Sequence, residues 1–185
     1  MASTRPPTPA EIWDYYQAAQ ESFAAYYEKL KAGFPWATSE SSSRFFAMSL
    51  PELDDAFERL TEELDHEVAL ALVGSIEAIF MTHYRSIKAP GPQAVILEAR
   101  LWALRGRRGD DASFDDVLEA WKEARPGQGQ DVGLFKQVLQ FRHWLAHGRR
   151  WDPLGFSGFG VATIVDRARR LDRSLAPSLP GLVGW

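Results

Sequence analysis

The sequence of 185 residues contains no cysteine. This absence excludes disulfide bonds, thiolate nucleophiles and cysteine-based zinc sites, and it fits a reducing compartment, so we expect a cytoplasmic protein. Histidine is scarce too, with four residues, and a zinc site would have to recruit carboxylates from distant segments. We therefore expect neither a metal ion nor another cofactor.

Long apolar runs are also missing. The most apolar stretch, residues 68–80, is interrupted by Glu77 and is too short to cross a bilayer. Residues 1–9 are polar and proline-rich and have no apolar signal core, so we expect no contact with a membrane. With a net charge of -4, the protein as a whole does not attract nucleic acid electrostatically. Any contact with nucleic acid would need a local basic patch.

Helical patterning is what the sequence has in abundance. Apolar residues recur at helical spacing, and no run shows the sustained alternation of a strand. The pattern predicts one all-α domain over residues 1–185, a bundle of about six helices. Thr8 before Pro9, Ser49 three residues before Glu52, and Ser113 are residue types that favour helix N-termini.

The boundaries follow from these caps and from the glycine and proline residues. The predicted helices begin at Pro9 and end before Gly33, and then cover 51–88 (the long one), 93–104, 113–124, 131–147 and 161–175. Residues 1–8 are predicted to form a flexible N-terminus, residues 33–49 a loop and residues 177–185 an irregular tail.

Arginine, histidine and tryptophan are concentrated in residues 141–151, at the end of the fifth predicted helix. Arg142 falls on the apolar ridge of Phe135, Leu139 and Ala146, where it needs an anion or a carboxylate. His143 and His147, four residues apart, share another face. Arg142 and His147 are separated by about 140° on an ideal helix, so one straight helix does not point both at one atom. We therefore expect fraying near Gly148, or a site completed by another element or by a second copy of the chain.

An imidazole beside a guanidinium is the combination that RNA cleavage needs. The imidazole moves protons at the 2′-hydroxyl or the leaving 5′-oxygen, and the guanidinium binds the phosphate and the charge that grows on it. No metal ion is required for this chemistry.

Arg142-x4-His147 on the penultimate helix of a small all-α protein resembles the R-x4–6-H motif of HEPN (higher eukaryote and prokaryote nucleotide-binding) domains. His143, the polar residue directly after the arginine, and the short final helix also match. The resemblance implies a metal-independent endoribonuclease with Arg142 and His147 as catalytic residues and His143 assisting, at a homodimer interface. It further implies a toxin or defence setting, with an antitoxin or other inhibitory protein as partner. Arg149 replaces the tyrosine that one subgroup modifies with AMP, so that control is not implied.

Several neighbouring residues would support an RNA substrate. Arg149 and Arg150 would contact its backbone, whereas Trp144 and Trp151 could stack on bases or equally form core or dimer contacts. Two arginine groups would be either solvated faces or part of the backbone cradle: Arg105, Arg107 and Arg108 in one turn, and Arg167, Arg169, Arg170 and Arg173 on the last helix.

Glu77 leaves two interpretations open. It lies at the edge of a wide apolar face, with a local partner such as Arg85, or it meets Arg142 in the core and fixes the rotamer of that side chain. Two alternatives to an enzyme also remain. One is a catalytically inactive HEPN-like module that binds nucleotide, RNA or a partner protein as a regulator. The other is a structural helical domain in which Arg142 forms only a core ion pair.

Overall fold

The structure is a computed structural model that describes residues 6–33, 45, 47–91, 96–147 and 159–175. Within these ranges it contains helices and no strand, so the predicted all-α class is confirmed. The six α-helices are α1 (Pro9–Lys31), α2 (Leu50–Ser86), α3 (Ile96–Arg108), α4 (Phe114–Ala124), α5 (Gly129–Ala146) and α6 (Val161–Leu175). Short 3-10 turns, Gly109–Asp111 and Pro126–Gln128, precede α4 and α5.

Side-chain caps begin three of these helices, as the sequence predicts. The hydroxyl of Thr8 accepts a hydrogen bond from the backbone N–H of Glu11, and the carboxylate of Glu11 accepts one from the N–H of Thr8. Ser113 and Asp116 make the same reciprocal pair at α4. At α2 the carboxylate of Glu52 accepts the N–H of Ser49. Each box satisfies backbone donors that the first helical turn leaves unpaired.

Three predicted boundaries were wrong by two to four residues. α2 ends at Ser86 instead of residue 88, because Ile87 is extended, with ψ of 129°. α3 continues past Gly106 to Arg108, because the left-handed residue that ends it is Gly109, with φ of 58°. α5 begins at Gly129 instead of residue 131, because its N–H bonds to Pro126 and the preceding 3-10 turn leads directly into the helix. At the end of α1, Gly33 has φ of 68°, in line with the predicted stop.

The main core lies between the second half of α2 and helices α4, α5 and α6, and α3 packs on α4. The ring of Phe80 is fully buried against Phe114 and Trp121, at centroid distances of 5.2 and 5.8 Å. Tyr84 of α2 is fully buried, and its hydroxyl donates a hydrogen bond to the carbonyl of Gly109. This bond connects the turn after α3 to α2. This core fixes α5 against the middle of α2.

The first half of α2 has a different partner. It pairs with α1 along a small second cluster in which Phe45, Leu53 and Phe57 are buried and Tyr26 and Tyr27 pack against them. We call residues 9–31 and 50–67 the helical hairpin. No helix in the described ranges combines the length and the apolar character needed to cross a bilayer.

Several predicted segments lie wholly or largely outside the described residues. They are residues 1–5 of the N-terminus, 34–44 and 46 of the 33–49 loop, the connection that holds Gly148, Arg149, Arg150 and Trp151, and the tail 177–185.

Candidate functional site

The face that α5 buries rotates along the helix. Val132, Phe135, Val138 and Phe141 are buried, and each step of three residues turns the buried direction by about 60°. Arg142 is therefore left at the edge of the interface, with 40% of its side chain exposed. The prediction of an inward-facing Arg142 on the ridge that ends at Ala146 was wrong, since Ala146 itself is exposed.

Arg142 meets a carboxylate of α2. Its Nη1 atom lies 2.9 Å from Oε2 of Glu77, whose side chain is 30% exposed. A helical side chain leans toward the N-terminus of its helix, and Arg142 thus reaches back along α5 to Glu77. Of the two interpretations of Glu77, the contact with Arg142 is observed, although it lies at the surface edge and not in the core. An ion pair this exposed contributes about 0–1 kcal/mol, so its main effect is on orientation.

His143 and His147 form a ring pair on another face of α5. Their ring centroids are 4.1 Å apart with an interplanar angle of 64°, and both residues are exposed. The predicted shared face is therefore confirmed. The backbone N–H of His147 bonds to the carbonyl of His143 at 3.1 Å, so α5 keeps its helical turn up to this residue.

The regular turn has a geometric consequence for Arg142 and His147. Because α5 does not unwind before His147, the two side chains still point about 140° apart. Among the described residues, no hydrogen bond or ion pair joins Arg142 to either histidine. Fraying ahead of His147 thus does not bring the two groups together. The predicted fraying near Gly148 lies outside the described residues, and another element or a second copy of the chain stays an expectation.

Trp144 packs against the core. Its ring stacks on Phe141 at a centroid distance of 5.6 Å and meets the edge of His66 at 6.4 Å. Packing is therefore the observed role among the alternatives open for Trp144.

Two arginines of the predicted basic groups have structural contacts that sequence reasoning missed. Arg105 donates from Nη1 to the carbonyls of Arg85 and Ile87 at 2.6 and 2.9 Å, which caps the C-terminus of α2. Arg167 donates to the carbonyl of Leu134 and to Gln137, and burial lowers the pKa of its guanidinium. Unpaired carbonyls at the end of a long helix were the only signal for the first contact.

Metal ligands do not assemble around the histidine pair. In the part of the chain that the structure describes, no group of three or more His, Asp or Glu side chains could hold a metal ion.

Comparison of the chain with protein-family models, with curated proteins and with solved structures gave no match.

Proposed function

We propose that the chain is a HEPN-like, metal-independent endoribonuclease that cuts single-stranded or looped RNA. The observation that carries this proposal is the content of the last two turns of α5. They hold an arginine oriented by Glu77 and two exposed imidazoles in contact with each other. The toxin or defence setting and the inhibitory partner protein belong to the same proposal and rest on the resemblance alone, whereas the proposed cytoplasmic location rests on the absence of cysteine.

The chemistry needs only these side chains and the RNA itself. One imidazole removes the proton of a 2′-hydroxyl, and the 2′-oxygen attacks the adjacent phosphorus. The bond from phosphorus to the 5′-oxygen breaks, and the leaving oxygen takes a proton from a second imidazole. Arg142 stabilises the negative charge on the non-bridging oxygens. The products are a 2′,3′-cyclic phosphate and a 5′-hydroxyl.

The pair with Glu77 leaves Arg142 able to bind phosphate. The contact joins Nη1 to one carboxylate oxygen, and a guanidinium has five N–H donors in a fixed fork. Glu77 thus orients the group, and a guanidinium has more donors than this one contact uses. The angular separation of Arg142 and His147 supports a composite site in which the second copy supplies the complementary group.

The test is cleavage of end-labelled RNA by the purified chain in EDTA. We expect cleavage to persist in EDTA and to fall at least about a thousandfold in Arg142→Ala and in His147→Ala, because each removes a group that acts in the transition state. Product ends are assigned by whether polynucleotide kinase labels the 5′-end without prior phosphatase treatment.

Matched controls distinguish the site from general effects. Arg59→Ala removes an exposed arginine of α2 that has no proposed contact with RNA, and His83→Gln removes a histidine that packs on Trp121. Both should cut like the parent protein. Cleavage that is undiminished in Arg142→Ala and His147→Ala identifies a contaminating nuclease and refutes the proposal, and a chain that stays monomeric at micromolar concentration contradicts the composite site.

A second candidate is a HEPN-like module that binds RNA, nucleotide or a partner protein without cutting. The Glu77–Arg142 pair favours it, since the carboxylate offsets the charge that a transition state would use. Retained RNA binding with no cleavage, in a protein whose thermal unfolding is cooperative, would support this alternative over the enzyme.

A further inference from the structure

A groove runs between α1 and the first half of α2, in the helical hairpin. It has a volume of 440 Å³ and is lined by aromatic rings and carboxylates, with Phe23, Tyr27 and Phe57 beside Asp54 and Glu58. The rings of Tyr27 and Phe57 contact each other at a centroid distance of 5.1 Å. This groove is separate from the histidine pair, and none of the proposed cleavage chemistry uses it.

The groove lies in the most acidic part of the chain. Residues 9–31 and 50–67 contain twelve Asp and Glu against three Lys and Arg, a net charge of -9. The whole chain carries -4, so the residues outside the hairpin sum to +5. A field this asymmetric attracts cations to the hairpin and repels nucleic acid from it.

The aromatic wall is arranged to meet a cation. The hydroxyl of Tyr27 donates to Asp54, and this hydrogen bond raises the pKa of the phenol, so the ring stays neutral and electron-rich. The ammonium of Lys31 already lies 5.0 Å from the centroid of the same ring. An aromatic face with carboxylates beside it is the chemistry that recognises guanidinium and ammonium groups.

We infer that this groove binds an arginine side chain from a basic segment of a partner protein. A guanidinium stacks on a ring and pairs with a carboxylate in one plane, which the combination of Tyr27 with Asp54 and Glu58 offers. Acidic residues continue along α2 beyond the groove at Glu62 and Asp65, over about 16 Å from Asp54. A row of this length matches several cationic side chains of an extended polypeptide. The inference does not depend on RNA cleavage.

The test uses a fluorescent peptide of alternating arginine and glycine with the full chain, and its anisotropy gives the Kd. We expect Asp54→Asn combined with Glu58→Gln to weaken binding about tenfold, and Phe23→Leu to weaken it about threefold while keeping an apolar wall. Lys31→Gln should tighten binding about twofold, because it removes the competing ammonium. A citrulline version of the peptide, which keeps the shape and loses the charge, should not bind.

The control for net charge is Glu98→Gln combined with Asp110→Asn, two exposed acids outside the hairpin. This variant should bind the arginine peptide like the parent protein. Equal loss in the control and the groove variants would mean that only overall charge matters, and the inference fails. Two other results also overturn it: displacement of the peptide by spermine at equal charge concentration, or concentration-dependent self-association that the groove variants abolish. Circular-dichroism melts establish that each variant is folded.

Discussion

The two halves of α2 belong to different environments although they form one helix. Residues 68–86 bury Val73, Phe80 and Tyr84 among three other helices, and Glu77 is their only acidic residue. Residues 50–67 bury Leu53, Phe57 and Leu64, mainly against α1, and contain eight acids and one arginine. The difference teaches that packing against several helices stabilises residues 68–86. Residues 50–67 are stabilised by the N-terminal cap and by a small apolar contact with α1. It also separates the two sites, since Glu77 orients Arg142 in the packed half and the cation groove lies in the acidic half.

The largest expected effect compares two phenylalanines of α2. Phe80→Ala should lower the free energy of unfolding by about 4 kcal/mol, because it leaves a closed cavity beside Phe114 and Trp121. Phe57→Ala should cost about 2 kcal/mol, because the vacated space opens into the groove and the hairpin relaxes around it. Urea unfolding followed by circular dichroism measures both. Equal costs would contradict the distinction between the two halves.

The next effect concerns the one buried charged residue of the described chain, Asp172 on α6. Its Oδ1 atom has no hydrogen-bond partner, and burial raises the pKa of its carboxyl group. Asp172→Asn should therefore stabilise the protein by about 1 kcal/mol at neutral pH. The raised pKa means that the native state binds the proton more tightly, so the penalty is present above the folded pKa and vanishes below the unfolded value. Thermal melts of both proteins should converge as the pH falls, and a constant gap would contradict this account.

A smaller effect is expected for Glu77→Gln. The ion pair with Arg142 is partly exposed, so the loss of stability should be about 0.7 kcal/mol. If Glu77 positions Arg142, cleavage should fall through kcat more than through KM, because RNA binding uses other contacts as well. Glu77→Asp, which keeps the charge on a shorter side chain, should recover part of the rate. If Glu77→Gln changes neither the melting temperature nor the cleavage rate, the ion pair does not orient Arg142.

The smallest effect is expected in the acidic half of α2. Glu58 and Glu62 are one helical turn apart and repel each other, so Glu62→Lys should stabilise the hairpin by about 0.4 kcal/mol at low salt. Glu62→Gln should give roughly half of this gain. Added salt should shrink both gains by screening. Hydrogen exchange of residues 50–67 is the sensitive measurement, and a gain that persists in high salt would exclude a charge effect.

Helix starts were predictable because their determinants are local. A hydroxyl or carboxylate three residues from its backbone partner is visible in the sequence at Thr8, Ser49 and Ser113, and α6 has the predicted bounds 161–175. The shared face of His143 and His147 followed from their spacing of four. The exposure of Arg142 could not be predicted from the spacing of residues on α5. The buried face of α5 rotates because the helix packs against both α2 and α6, and helical spacing alone does not show where neighbouring helices lie.

The length of α2 has a consequence for the shape of the protein in solution. Its 37 residues extend about 55 Å at about 1.5 Å per residue. A compact globule of this chain length has a radius of gyration of about 16 Å, and thus a diameter near 40 Å. The helix is longer than such a globule, so the start of α2 and the end of α1, which pack on each other, must extend beyond it. Small-angle scattering should accordingly give a radius of gyration above that of a compact particle of the same measured mass, and the frictional ratio in sedimentation should be that of an elongated particle.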